Sequence, residues 1–291
     1  MKIISADERL ANKAGIKGII LGPAGIGKTS LLHTLDPETT LFVNAEAGEL
    51  SVQDWPGDMV RLRTWQDARN LAAVVGGANP AYGDDAIYGP AHYAASMDAF
   101  GAGAFDKYET VFIDSITEVS RLCFSWSKGQ PESFSDKTGK PDTRGTYGLL
   151  GREMIEWLKQ FQHAPKRNVW LVGLLNEVKD DFGRMHFVMQ IEGSKTALEA
   201  PGITDQLISM VQMASDEGVT YRAFVSHAVN PWGYPAKDRS GRLDLIEEPH
   251  LGKLMAKISG PRKPASERLS YQTPTSDAGP STEETPAAKA A

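Results

Sequence analysis

Within this 291-residue chain, the run Gly22-Pro23-Ala24-Gly25-Ile26-Gly27-Lys28-Thr29 has residue types and spacing that most narrowly restrict the chemistry open to them. It reads G-x-x-x-x-G-K-[ST], with Ser30 immediately behind it. Gly22, Gly25 and Gly27 let successive backbone N–H groups turn inward, a shape that fits the oxygens of a phosphate chain, and Pro23, Ala24 and Ile26 complete the cradle. Lys28 is spaced to reach the β- and γ-phosphates of ATP. The Thr29 hydroxyl is spaced to ligate Mg²⁺, with Ser30, one place beyond the motif, as the lesser candidate. A helical pattern follows, whose amino-terminal dipole adds positive potential at the same point.

Phosphate chemistry also needs carboxylates. Val111-Phe112-Ile113-Asp114 is an apolar run ending in an acid that could hold the Mg²⁺ shell through water. Hydrolysis further requires a group that orients or deprotonates the attacking water. Glu46, two residues past the run Leu41-Phe42-Val43-Asn44, is the candidate and Glu49 the alternative. Taken singly, each of these acids also has a plainer reading as a turn or loop residue.

Those side chains must be carried on something. Ser5 and Glu8 have capping-box spacing for a short opening helix. Short β-rich runs then alternate with helical patterns, which predicts α/β layers and a mostly parallel sheet. Strands are expected at 16–21, 40–44, 59–63, 110–114 and 169–175, and helices at 28–35 and 64–75. A further helix is implied by Leu150, Met154, Trp157, Leu158 and Phe161. Runs at 187–191, 207–213, 221–227 and 243–247, separated by Gly, Pro and Asp, predict an antiparallel β extension. Residues 76–105, rich in Gly, Ala and Tyr, read as a surface insertion. Residues 261–291 read as a disordered tail behind a domain spanning 1–260.

These motifs, in this order, resemble those of the RecA-like core ATPases: the Gly22–Thr29 loop, Asn44-Ala45-Glu46-Ala47, and Thr110 to Ser115. The resemblance covers roughly 15–250 and implies a RecA-like P-loop NTPase core that hydrolyses ATP with Mg²⁺. Asn168 to Asn176 is similar to the family's strand that ends in a polar γ-phosphate sensor. Asn176 stands where the recombinases carry Gln, and a turn-capping amide is the other reading. Ala236-Lys237-Asp238-Arg239-Ser240-Gly241 resembles the A-K-x-R-x-G segment of the DnaB-type helicases. There Lys and Arg reach the nucleotide of the adjacent subunit, so Lys237 and Arg239 imply hydrolysis at the interfaces of a homo-oligomer, ring or filament. A basic surface turn is the plainer reading. The region from Gly193 to Asp205, with the compact size, is similar to phage-encoded ATP-binding proteins of the single-strand annealing type. That implies a recombination protein that binds single-stranded DNA and works with a single-strand DNA-binding protein in the host cytosol.

The residues themselves offer two places for DNA. Segment 127–146 carries Lys128, Lys137, Lys140 and Arg144 with Phe134, and Tyr147 follows directly; segment 178–196 carries Lys179, Arg184, His186 and Lys195 with Phe182 and Phe187. Cations interleaved with aromatics suit sequence-tolerant single-strand binding. Asp136, Asp142, Asp180, Asp181 and Glu192 dilute both, leaving ordinary solvated loops as the alternative.

Composition narrows the rest. A hydrophobic fraction of 41% with 23% charged residues is that of a folded chain, and a net charge of −6 excludes a uniformly basic coat protein. No apolar run approaches the ~20 residues of a membrane span. Cys123 is the single cysteine, and the acidic opening lacks a signal-peptide core, so a cytoplasmic setting is expected. Six scattered histidines form no metal pattern, and no G-x-S-x-G elbow is present. A DnaB-like helicase motor, a small-molecule kinase and a nucleotide-gated scaffold remain as alternatives; the kinase would want an Arg-rich lid, and none stands out.

Overall fold

Strands buried at every position are covered on both faces, as are those at 17–22, 40–44 and 110–114. The computed structural model describes residues 3–11, 14–101, 103–164 and 166–264. Its strands are β1 (Lys17–Gly22), β2 (Thr40–Asn44), β3 (Asp58–Arg61), β4 (Thr110–Asp114), β5 (Asn168–Lys179), β6 (Met185–Gln190), β7 (Gln206–Ala214), β8 (Thr220–Val225), β9 (Lys237–Asp238) and β10 (Ile246–Glu247). Among the described residues they form one sheet of order β10-β8-β7-β1-β5-β4-β2-β3, with β6 paired to β5 and β9 to β7. The six strands from β7 to β3 run parallel, while β6, β8, β9 and β10 join antiparallel. The mostly parallel α/β sheet with an antiparallel extension is thus as the sequence pattern predicts.

Helices α1 (Ala6–Ala11), α2 (Trp65–Gly76), α3 (Pro90–Phe100), α4 (Ile116–Ser127), α5 (Thr143–Gln162), α6 (Ser194–Ile203) and α7 (Leu251–Ser259) complete the layers. Because side chains alternate along a strand, each strand serves two cores. Ile19, Leu21, Val43, Ile113 and Leu171 point into one with α2, α4 and α5, including Leu71, Val119, Trp157 and Phe161. Ile20, Phe42, Phe112, Trp170 and Ile208 point into the other, against Leu31, Leu32 and the Leu251, Leu254 and Ile258 stripe of α7. Trp170 needs the missing side chain of Gly18, where a Cβ would lie 2.2 Å from its ring.

Several expectations are corrected. The helix expected at 28–35 is a 3₁₀ turn over Thr29–Thr34, with Leu31 N donating to Lys28 O and Leu35 N to Leu32 O. Leu31 and Leu32 both face inward, and Pro37 prevents the chain from relaxing into a longer α-helix. Segment 76–105 holds α3, started by Pro90 and stopped at Gly101. Its small residues blunt the periodicity, and the Pro-then-Gly punctuation was the readable signal. His92 joins it to α2, through Asn70 Oδ1, and Tyr88 and Phe105 are buried beneath it. The strand expected to stop near 175 continues to Lys179, because β6 folds back to supply its hydrogen-bond partners. The proposed tail falls largely on 265–291, outside the described residues. At the start, Ser5 Oγ accepts from Glu8 N at 3.1 Å.

Candidate nucleotide site

In a parallel sheet, every strand delivers its carboxyl end to the same edge, which is where such sheets bind ligands. Asn44, Asp114 and Val172 lie in register across β2, β4 and β5, and Gly22 pairs with Leu174 one strand further. The loop leaving β1, the acid ending β4 and the turn leaving β2 therefore emerge side by side. Gly25 and Gly27 take φ of +77° and +103°, values that favour glycine.

Lys28 is buried at the start of the 3₁₀ turn, and its ammonium donates to the carbonyls of Gly22 and Pro23, both at 2.9 Å. Burial lowers its pKa, opposed by the nearby charges of Asp114 and Glu46. Thr29 Oγ1 donates to Asp114 Oδ2 at 2.5 Å. Asp114 is itself buried, which pushes its carboxyl up to about 6; Glu46 acts in the same direction, against the Thr29 hydrogen bond and Lys28. Ser115, which caps α4 by accepting from Glu118 N, donates its hydroxyl to Glu46 Oε1. Ala45 N donates to Asp114 O at 2.7 Å, tying the two strand ends together.

The structure also separates the two candidate glutamates. Glu49 receives Arg61 Nε at 2.8 Å and Nη2 at 2.9 Å, and Asn44 Nδ2 at 2.9 Å, so it closes the loop rather than facing Asp114. Glu46 is exposed beside the phosphate loop. Pro23, Ala24 and Gly25 are exposed at the rim, whereas Ile26 packs into the core, and Ser30 is half-buried in the 3₁₀ turn.

Asn176 is exposed and pairs with Val188 inside the β5–β6 hairpin, two places beyond Leu174, so it does not end its strand as expected. Lys237 and Arg239 are not brought to this edge. β9 pairs with Gln206 and Leu207, at the amino end of β7, on the opposite side of the sheet. Lys237 Nζ donates to the carbonyls of Pro201 and Thr204 at 2.7 and 2.8 Å, closing the last turn of α6. Arg239 pairs with Asp205 at 2.9 Å and stays half-exposed.

Of the two DNA candidates, segment 127–146 is pinned on itself. Ser133 Oγ donates to Ser127 O, Phe134 bridges to Pro141, and Lys128 sits 4.1 Å over the Phe124 ring. Residues 143–146 already belong to α5. Segment 178–196 is largely the β5–β6 hairpin. Phe182 at its tip is 84% exposed, Arg184 is paired to Asp180, and Phe187 packs on Tyr234 with 4.5 Å between ring centroids.

Two further side chains lie against these residues. Ser115 was legible as the first residue of an S-x-x-E cap. Arg222 on β8 was not: its guanidinium lies over Gly27, where a Cβ would be 3.0 Å from Nη1. That approach depends on the pairing of β7 with β8 and leaves no local pattern.

No group of three or more His, Cys, Asp or Glu side chains among the described residues could hold a metal, and no helix there is long and apolar enough to cross a membrane. A family model described as an AAA domain matches residues 14–240. No curated protein matches the chain.

Proposed function

The chain belongs to the AAA domain family, and on that premise we propose that it is a Mg²⁺-dependent ATPase whose oligomer acts on single-stranded DNA in recombination or annealing. The observation carrying the ATPase reading is the chain of contacts from Thr29 through Asp114 to Ser115 and Glu46, next to Lys28. Thr29 and Asp114 suit Mg²⁺: one hydroxyl and one buried carboxylate match the few protein ligands that this ion takes beside phosphate oxygens and water. Bound there, the ion would neutralise charge on the phosphates. Loop amides from Gly22 to Thr29 orient the phosphate chain, and Lys28 exchanges its carbonyl partners for phosphate oxygens. Glu46, held by Ser115, takes the proton of the attacking water.

Support for the DNA reading is the β5–β6 hairpin, which projects Phe182, Lys179 and His186 as a direct continuation of the strand beside the loop. The opposite-edge position of Arg239 suits use by a second copy, since it cannot serve its own loop. Turnover of ATP with and without single-stranded DNA tests the proposal. We expect DNA-stimulated hydrolysis that disappears in Lys28→Ala, and a loss of about 10²- to 10⁴-fold in Glu46→Gln with ATP binding retained. Hydrolysis indifferent to DNA would leave an ATPase and remove the DNA role. Duplex unwinding without annealing would favour a helicase motor.

A further inference from the structure

We infer that Arg222 is a nucleotide-binding residue that contacts the inner phosphates, those shared by ADP and ATP, from the flank opposite the carboxylates. The inference rests on the ATPase reading and deepens it.

The placement follows from the sheet. β1 carries the phosphate loop; β5, β4 and β2 follow on one side, and β7 and β8 on the other. Asp114 and Glu46 therefore approach the loop from the first side, and Arg222 from the second. β7 runs parallel to β1 with Leu21 opposite Ser209, so its later residues, Met210 to Ala214, extend past the point where the loop begins. Arg222 pairs with Gln212 on that extension. It shares a face with Phe224, which is buried against the same core as the 3₁₀ turn behind Lys28. The face is confirmed locally: the Gly27 Cβ position would lie 3.0 Å from Arg222 Nη1 and 3.8 Å from the Met210 methyl.

Charge makes the placement meaningful. Arg61, Arg69, Arg121, Arg184 and Arg239 each hold a carboxylate. Arg222 is exposed, and its guanidinium has no ion-pair or hydrogen-bond partner among the described residues. A guanidinium held over inward-turning amides, with its donors uncommitted, presents a planar fork that suits phosphate oxygens. The γ-phosphate belongs on the side of Lys28, Asp114 and Glu46, which leaves the inner phosphates to Arg222.

Calorimetric titration of ADP and ATP into the full chain, with steady-state turnover, tests this. Wild type must bind both nucleotides; if it binds neither, the ATPase reading and this inference fall together. With wild type binding, Arg222→Gln is expected to weaken ADP and ATP by the same factor, about 10- to 100-fold, the range of a charge-assisted hydrogen bond. KM should rise with it, while turnover at saturating ATP falls much less. Arg222→Lys, which keeps the charge and loses the fork, should lie between, and both variants should melt within about 2 °C of wild type without nucleotide because the side chain is exposed and unpaired. Unchanged ADP affinity in Arg222→Gln overturns the inference while leaving the ATPase intact. So does a loss of turnover at unchanged affinity, which would move the contact to the γ-phosphate.

Discussion

Lys17 shows how one side chain can burden a fold. It opens β1, is 5% exposed, and its ammonium has a carbonyl partner, Gly15 O at 2.7 Å. Burial lowers its pKa from 10.5 to about 8, only partly offset by Asp205. Between those values the unfolded chain binds more protons than the folded one, so stability climbs as pH rises from 8 to 10.5, and the burden is fully present below 8. Lys17→Met is expected to raise unfolding free energy at pH 7 by about 2 kcal/mol, with the gain shrinking towards zero near pH 10.5; urea melts across that range check it. At this scale the phosphate loop and Asp114 could be picked out from residue types alone, since Gly, Lys and Thr at fixed offsets have few other uses. The choice between Glu46 and Glu49 could not, because it turns on which of them Arg61 captures, fifteen residues away from the first and twelve from the second.

Between elements, the join of α2, α4 and α5 is polar at its centre. Arg69, with its side chain 8% exposed, donates to Glu153 Oε2 at 2.5 Å, and Trp65 Nε1 donates to the same oxygen at 3.1 Å. The guanidinium also lies 4.1 Å from the Trp126 ring centroid. Glu153→Ala leaves that cation buried and unanswered, and should cost about 3–5 kcal/mol in urea denaturation. Adding Arg69→Met should return much of the loss, because an apolar side chain of similar length needs no partner. Most of the parallel strands were legible as unbroken apolar runs. The 3₁₀ turn was not, being decided by what packs behind it, whereas α3 carried its Pro90 and Gly101 punctuation and α7 its Leu251, Leu254 and Ile258 spacing. The outcome for Lys237 and Arg239 has the same origin, since their register on β7, not their motif, determines the edge on which they sit.

At the level of the molecule, the phosphate loop is supported from behind by the far end of the chain. α7 packs on the Thr29–Thr34 turn, Leu251 N donates to Thr34 Oγ1 at 3.0 Å, and Leu254 is buried in the shared core. Leu254→Ala should cost about 3 kcal/mol. It should also weaken ADP binding by the folded protein several-fold, whereas Leu158→Ala in the other core should match it in stability loss and leave binding unchanged; melts paired with calorimetry separate the two.

β5 has a mechanical consequence. Its twelve residues run without interruption from beneath the nucleotide edge to the tip of the hairpin. From Leu174, opposite Gly22, to Asp180 is about 20 Å of hydrogen-bonded ribbon. Were a ribbon of that length to tilt by about 5° at its base, Phe182 at the far end would travel about 2 Å, as an oar's blade moves further than its grip.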